Sequence, residues 1–546
     1  MQIADITTQT KYMIDDLKAV CANYGLGNSG NEYKIITEAF LYKFLNDKFI
    51  YEARLIVHQY AGKTSVEIEA AMSAMSEDDY ELMLLNFGAA TARLKREHYI
   101  SYLFNRQNEE DFHTLFDNTL MDISNYNIDI FSVKAGGQSK ISLFDKLSQY
   151  VIEEEKKDGF CRAIIAKLAG CSFDSVFEQK YDFFSQIFEY LISDYNKDSG
   201  KYGEYYTPHS IASIIAQIMV PNGAQNVTVY DPAAGSGTLV LALAHEIGEE
   251  NCTIYTQDRS QKANEFLRLN LILNNLVHSL PNVVHDDTLL TPRHLNAKKD
   301  GIATFDYIVS NPPFGSDFSE SRDTLAGEKF KKRFWAGVPN IPNKDKDKMA
   351  IYLMFLQHII VSLKKTGKAA VVVPTGFLTA GASIQKKIRE HLIEHKMLRG
   401  VISMPSNIFA TTGTNVSILF IDSENVNGKV VLMDASNLGT KIKLDGKNQK
   451  TVLSPNEIKR IIDTFVAGKP EDGFCVAVDY ENIKGKKYSF SAGQYFDANI
   501  EYSQLTQDEF FKTMNDHKTK LKALFKEADN IEKDLFYALE SVKYDI

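Results

Sequence analysis

Asn311-Pro312-Pro313-Phe314 closes an apolar run, Phe305 to Ser310, that reads as a buried strand. Proline fixes φ and has no N–H to donate, so the turn is stiff and rich in acceptors. The Asn311 side-chain oxygen and the Pro312 carbonyl stand beside an aromatic ring. Such a corner suits a flat group that bears an amine. A second reading competes: a Pro-Pro turn that caps the strand, with Phe314 packed in the core. The tetrapeptide alone does not separate them.

Upstream, Asp231-Pro-Ala-Ala-Gly-Ser-Gly-Thr238 follows another short apolar run and opens a helical pattern. Gly235 and Gly237 let the backbone turn sharply and approach a ligand. In a strand–loop–helix setting this points to a nucleoside-cofactor site. The full G-x-G-x-x-G pattern of a nicotinamide enzyme is absent, and no P-loop lysine follows. Asp258 ends the next strand, where a carboxylate accepts both ribose hydroxyls of an adenosine. Asp286 and Asp287 follow Pro281–His285, and one of them, with Asp287 preferred, accepts from a cofactor adenine amine.

The elements that must carry these residues alternate. The spacing predicts strands at 227–230, 253–257, 305–310, 369–373, 400–403 and 416–421. Helices are expected at 238–247, 263–273, 349–363 and 382–395. Such alternation implies a parallel sheet with helices on both faces, whose ligands bind beyond the carboxyl ends of the strands. Thr207-Pro208 starts a further helix, with Thr207 as N-cap and Pro208 at the first helical position.

Several motifs together resemble the S-adenosylmethionine-dependent N6-adenine DNA methyltransferases. Asp231-Pro-Ala-Ala-Gly-Ser-Gly237 resembles their cofactor motif and Asn311-Pro-Pro-Phe314 their catalytic motif. Gly203-Glu-Tyr-Tyr-Thr-Pro208, Asp287-Thr-Leu289 and Met404-Pro-Ser-Asn-Ile-Phe-Ala-Thr-Thr-Gly413 resemble the modification (M) subunit of type I restriction–modification systems. The resemblance covers about 145–425. It implies a Rossmann-like α/β methyltransferase sheet, flanked by an N-terminal helical domain and a C-terminal helical extension. It implies S-adenosyl-L-methionine as cofactor, no metal, and methylation of the exocyclic amine of an adenine flipped out of the duplex. Asn311 and Pro312 would hold the amine, and Phe314, beside Pro313, would stack on the base. Glu204, Tyr205, Tyr206, Thr207 and Pro208 would cover the methionine part of the cofactor. Ala233, Gly235, Ser236 and Gly237 would approach it by backbone, and Asp231 would hold backbone amides or the cofactor's ammonium. The partners implied are double-stranded DNA, a separate specificity (S) subunit, a second M subunit and, in the full complex, a restriction (R) subunit.

Composition bounds these expectations. A chain of 546 residues exceeds one ordinary domain. Four segments are expected: 1–140, a helical interaction domain; 141–425, the methyltransferase domain; 426–500, its mixed extension; and 501–546, a long amphipathic helix for subunit contacts. No apolar run reaches the length of a membrane span, and the N-terminus lacks the form of a secretory signal. Five scattered cysteines without ligand spacing read as reduced core residues of a cytoplasmic protein. The net charge is −10, against the basic excess expected of a chain that grips nucleic acid unaided. Target choice is therefore expected to be delegated to a partner. Locally, 315–348 gathers Lys329, Lys331, Lys332, Arg333, Lys344, Lys346 and Lys348 with Phe330, Phe334 and Trp335, and reads equally as a mobile DNA-facing loop or as a solvated surface. Two rivals remain: methylation of a protein glutamine amide, and a silent cofactor-binding scaffold.

Overall fold

The computed structural model describes residues 3–27, 30–88, 91–131, 133–134, 140–174, 177, 207–381, 383–409, 414–425, 428–444, 448–496 and 506–540. It comprises two compact units, Met1–Tyr495 and Phe496–Ile546.

The first unit is built on a nine-stranded sheet. In chain order its strands are β1 (Val227–Asp231), β2 (Cys252–Asp258), β3 (Val283–His285), β4 (Phe305–Ser310), β5 (Leu363–Pro374), β6 (Leu398–Ser403), β7 (Val416–Asp422), β8 (Lys429–Asp434) and β9 (Cys475–Asp479). Across the sheet they run β9-β8-β6-β7-β5-β4-β1-β2-β3. Within β4, β5 and β7, the stretches 307–309, 369–373 and 418–421 are apolar without alternation, the pattern of strands covered on both faces. The helices that cover them include α1 (His209–Met219), α2 (Thr238–Ile247), α3 (Gln261–Leu273), α4 (Tyr352–Val361), α5 (Ser383–Glu394) and α6 (Pro455–Ala467).

The sheet is not uniformly parallel, as alternation alone implied. β7 runs antiparallel to both neighbours, β5 and β6, and β9 runs antiparallel to β8. Among the described residues no helix separates β6 from β7. Without a crossover helix, the return from β6 favours antiparallel pairing. The remaining pairs are parallel. The first three strands build outward to one side of β1, and β4 then returns to its other side. That reversal between β1 and β4 leaves a crevice at their carboxyl ends, where Asp231 and Asn311 emerge.

Helices also dominate the chain before the sheet, among them Gly30–Ile56, Phe112–Tyr126 and Glu154–Ala169. Thr64 and Ser76 cap two shorter ones, each accepting a backbone N–H three residues on. Tyr99, Phe112 and Phe116 are buried, so these aromatics are core. The helical region is welded to the sheet domain. Tyr33 meets Phe266 edge-on at 4.5 Å, and buried Arg268 of α3 donates to the carbonyls of Phe131 and Ser142. All five cysteines are unbridged, and four are buried. Among the described residues no helix is long and apolar enough to cross a membrane.

The second unit holds one 34-residue helix, Gln507–Glu540. Phe510, Met514, Leu521, Leu524, Phe525, Ile531, Leu535 and Leu539 are all exposed.

Candidate active site

The carboxyl ends of β1, β2 and β4 form one cleft, with about 940 Å³ of empty space opening to solvent. Its wall includes Thr207, Asp231, Ala233, Gly235, Ser236, Asp258, Asp287, Asn311 and Pro313, each named from the sequence. Gly237, Pro208, Pro312 and Phe314 are not among the residues of this wall. Glu204, Tyr205 and Tyr206 lie outside the described residues, as do Ala410 to Gly413 of the later motif.

The acids on the β1–β2 side are tied down by backbone. Asp231 is buried, and its Oδ1 accepts from the Ala233 N–H and the Ser310 hydroxyl, both at 2.9 Å. Among the described residues no donor is recorded for its Oδ2. Burial, with Asp258 nearby, pushes the Asp231 carboxyl up to about 7. The two Asp258 oxygens accept from the N–H groups of Gly235 at 2.9 Å and Ser260 at 2.8 Å. Burial raises this carboxyl too, against those two bonds. Each oxygen still has a lone pair to offer.

Asp286 and Asp287 have different surroundings. Asp286 is engaged by Thr291 and by Arg293, whose Nε lies 2.6 Å away. Burial would raise its carboxyl, but these partners hold it below the usual range. Asp287 lines the cleft, with Oδ1 accepting from the Leu289 and Leu290 N–H groups at 2.8 and 3.0 Å. The Thr288 hydroxyl donates to the Pro232 carbonyl at 2.7 Å, fastening this turn to the glycine loop.

The glycines serve two ends. Gly235 and Gly237 both have φ in the left-handed region, 52° and 86°. At Gly237 a Cβ would also fall 2.2 Å from Leu267 Cδ1, so this glycine lets α2 and α3 pack.

On the opposite side stands Asn311. Its Nδ2 donates to the Thr207 hydroxyl at 3.2 Å, which leaves Oδ1 as the side chain's acceptor. Thr207 is not the N-cap expected. The helix begins at His209 behind Pro208 with no side-chain cap, and the Thr207 hydroxyl meets Asn311 instead. Phe314 is half-buried and meets Tyr352 edge-on, at 6.5 Å between ring centres.

The 315–348 excursion is folded around its own core. Phe318, Leu325, Phe330, Phe334 and Met349 pack with Leu289, Ile351 and Phe355. Its ends meet just after the Asn311-Pro312-Pro313-Phe314 turn, where the Ser316 N–H donates to the Met349 carbonyl at 3.1 Å. Arg333 is buried, stacks on Phe334 at 4.4 Å, and donates to the carbonyls of Thr288 and Leu289. It braces the cleft wall from behind rather than facing solvent. Trp335 lies on His391 at 4.3 Å. Lys329, Lys331, Lys332, Lys344, Lys346 and Lys348 remain on the surface.

Sequence reasoning missed Ser310, Arg259, Ser260, Ile351 and Phe355, which join or support the cleft. Ser310 had a signal, as the polar last residue of an apolar strand. Ile351 and Phe355 had none, since generic apolar residues carry no mark of what they face.

Chemically, the cleft offers an open acid oxygen at Asp231, lone pairs at Asp258 for hydroxyls, and an acceptor at Asn311. That donor set fits a cofactor with an ammonium group and a ribose, facing an amine-bearing substrate. Residues 179–503 match the family model described as N-6 DNA Methylase. A type I restriction enzyme MpnII methylase subunit of Mycoplasma pneumoniae is 27% identical over 78% of this chain and 80% of that protein. The MjaIX methylase subunit of Methanocaldococcus jannaschii is 26% identical over 70% of this chain and 67% of that protein. A solved type I restriction–modification methyltransferase subunit from Streptococcus thermophilus aligns with a TM-score of 0.71 at 21% identity. It covers 91% of this chain and 100% of that one.

Proposed function

The chain belongs to the N-6 DNA methylase family, and on that premise we propose that it is the adenine-N6 methyltransferase, or M, subunit of a type I restriction–modification system. The observation that carries this reading is the meeting of Asp231 and Asn311 across the β1–β4 crevice, each with one side-chain oxygen left for a ligand. The methylase-subunit names of the relatives support it.

The cofactor of this reading is S-adenosyl-L-methionine, which supplies a methyl group on an electrophilic sulfonium. Asp231 Oδ2 takes the ammonium, the spare lone pairs of Asp258 take ribose hydroxyls, and Asp287 borders the adenine. Asn311 Oδ1 and the Pro312 carbonyl accept the two hydrogens of the substrate amine. Adenine's N6 lone pair is delocalised into the ring; these two bonds localise it on nitrogen and hold the amine in attack geometry. Positioning of this kind is worth several kcal/mol (about 7 or more at best). Phe314 stacks on the base, a contact worth about 1–3 kcal/mol by alanine substitution.

The partners of this reading are duplex DNA, a specificity subunit, a second M subunit and, in the full assembly, a restriction subunit. Residues 1–140 and 501–546 are its candidates for subunit contacts, around a catalytic region of 141–425 with its 426–500 extension. The test is incubation of the full chain and its specificity partner with labelled cofactor, duplex DNA and protein acceptors. Label on adenine N6 is expected; label in protein alone overturns the reading.

A further inference from the structure

Outside the cleft, one projection carries a charge that the reaction chemistry does not use. Residues Thr440–Leu444 and Asn448–Val452 form a separate two-stranded antiparallel hairpin. Between Asp434 and Glu457 the sequence holds four lysines and a single acid, in a chain whose net charge is −10. Lys441 and Lys443 are exposed and Lys450 partly so. Among the described residues none of the three has an ion-pair partner.

A lone two-stranded hairpin is marginal in water, and this one is tethered at its root. Thr451 is buried, donating its hydroxyl to the Ser406 carbonyl at 2.6 Å and its N–H to the Asn407 carbonyl at 3.0 Å. Gly439 has φ of 85°, and a Cβ there would come within 2.6 Å of Thr451 Cγ2. Its N–H donates to Glu457 Oε1 at 2.8 Å, and Glu457 forms the capping box of α6 with Ser454.

The mount has a direction. Ser406 and Asn407 follow the carboxyl end of β6, and Gly439 follows that of β8, which runs parallel to β6. The hairpin therefore rises from the same sheet edge as Asn311. β6 and β8 lie three and four strands from β4, or roughly 14 and 19 Å at the usual strand spacing. One face of a duplex spans that distance, since its major groove alone is about 12 Å wide.

We propose that the paired strands Thr440–Leu444 and Asn448–Val452, tied to the edge that carries Asn311, contact the phosphate backbone of the DNA substrate through Lys441 and Lys443, which share one face while Lys450 lies on the other. Lysines on flexible stems suit phosphates as point charges and carry no base preference. This rests on the DNA reading above. Lysines also guard strand edges against aggregation, and that role predicts no effect on DNA.

The experiment compares the full chain, assembled with its specificity partner, with a K441Q/K443Q variant. Duplex affinity is measured across ionic strengths, alongside cofactor affinity and Tm. A wild-type affinity that falls steeply with salt is expected. The variant's slope should be shallower by about 2, roughly one unit per lost phosphate contact, with cofactor affinity and Tm unchanged. Parallel slopes overturn the proposal. So does loss of assembly with the specificity partner at an unchanged slope, which would make the hairpin a protein contact. Should the double variant melt early, K441Q and K443Q singly should each flatten the slope by about 1. A wild-type complex with no salt-dependent duplex binding would instead bring down the DNA reading, and this proposal with it.

Discussion

The two walls of the cleft are held in different ways. On the β1–β2 side, Asp231, Asp258 and Asp287 each accept at least one backbone N–H, and Arg333 braces the turn behind them. On the β4 side, Asn311 is held by one side-chain bond, to Thr207, and its oxygen stays open. The first wall is set before any ligand arrives. On the proposed reading, the second keeps its acceptors for the reacting amine, so binding energy is concentrated on one wall and rate on the other.

The largest effect expected is therefore at Asn311. Asn311→Ala should lower single-turnover methylation by about 100-fold or more, the scale of losing a preorganised polar contact at a reacting atom. Cofactor affinity by calorimetry should stay within a few-fold. Equal losses in both would erase the division between the walls.

Asp231→Asn should do the reverse, weakening cofactor binding by about tenfold or more, the order of one charge-assisted hydrogen bond. With its carboxyl near 7, wild-type Asp231 must ionise to meet an ammonium, so affinity should fall as pH drops from 8 to 6. The Asn variant should lose that dependence. Stability should move oppositely. A carboxyl raised from 3.8 to about 7 on folding binds more protons in the folded state, so stability falls as pH rises through that window. Asp231→Asn should therefore raise Tm relative to wild type more at pH 8 than at pH 4. A Tm difference independent of pH would show that this carboxyl is not held protonated by burial.

Arg333→Met removes the brace and leaves two buried carbonyls short of a donor, at about 1–3 kcal/mol. A several-fold rise in KM for the cofactor is expected, with kcat nearly kept. A fall in kcat alone would place Arg333 with the reacting wall. The smallest effect belongs to Phe314→Leu. Half-buried against Tyr352, it should lose a few-fold in duplex substrate affinity, read from KM for DNA.

How much of this was legible follows from how far apart the partners lie. Phe305–Ser310 could be read to the residue because an apolar run with a Pro-Pro stop marks itself locally. The loop from Asp231 could be read because its glycines sit within one turn. The antiparallel course of β7 could not, since apolar strands carry no mark of direction. Nor could the bonds that complete the site, which join residues 79 positions apart for Ser310 and Asp231 and 104 apart for Asn311 and Thr207. The 315–348 stretch is ambiguous by composition. Its aromatics fit a DNA-facing loop and a solvated surface equally, whereas Phe330 and Phe334 belong to the core that folds it, and Arg333 is spent inside that core.

The position of β7 also sets an order of assembly. β5 and β6 are made first, yet in the folded sheet they lie about 10 Å apart, two strand spacings, with residues 416–422 between them. On the ribosome this leaves two strand edges open, with long-range pairings of slow closure. An open edge is a template for pairing with another chain. A nascent chain halted before Val416 would therefore carry its reacting turn, Asn311 to Phe314, complete in sequence, on a sheet still divided.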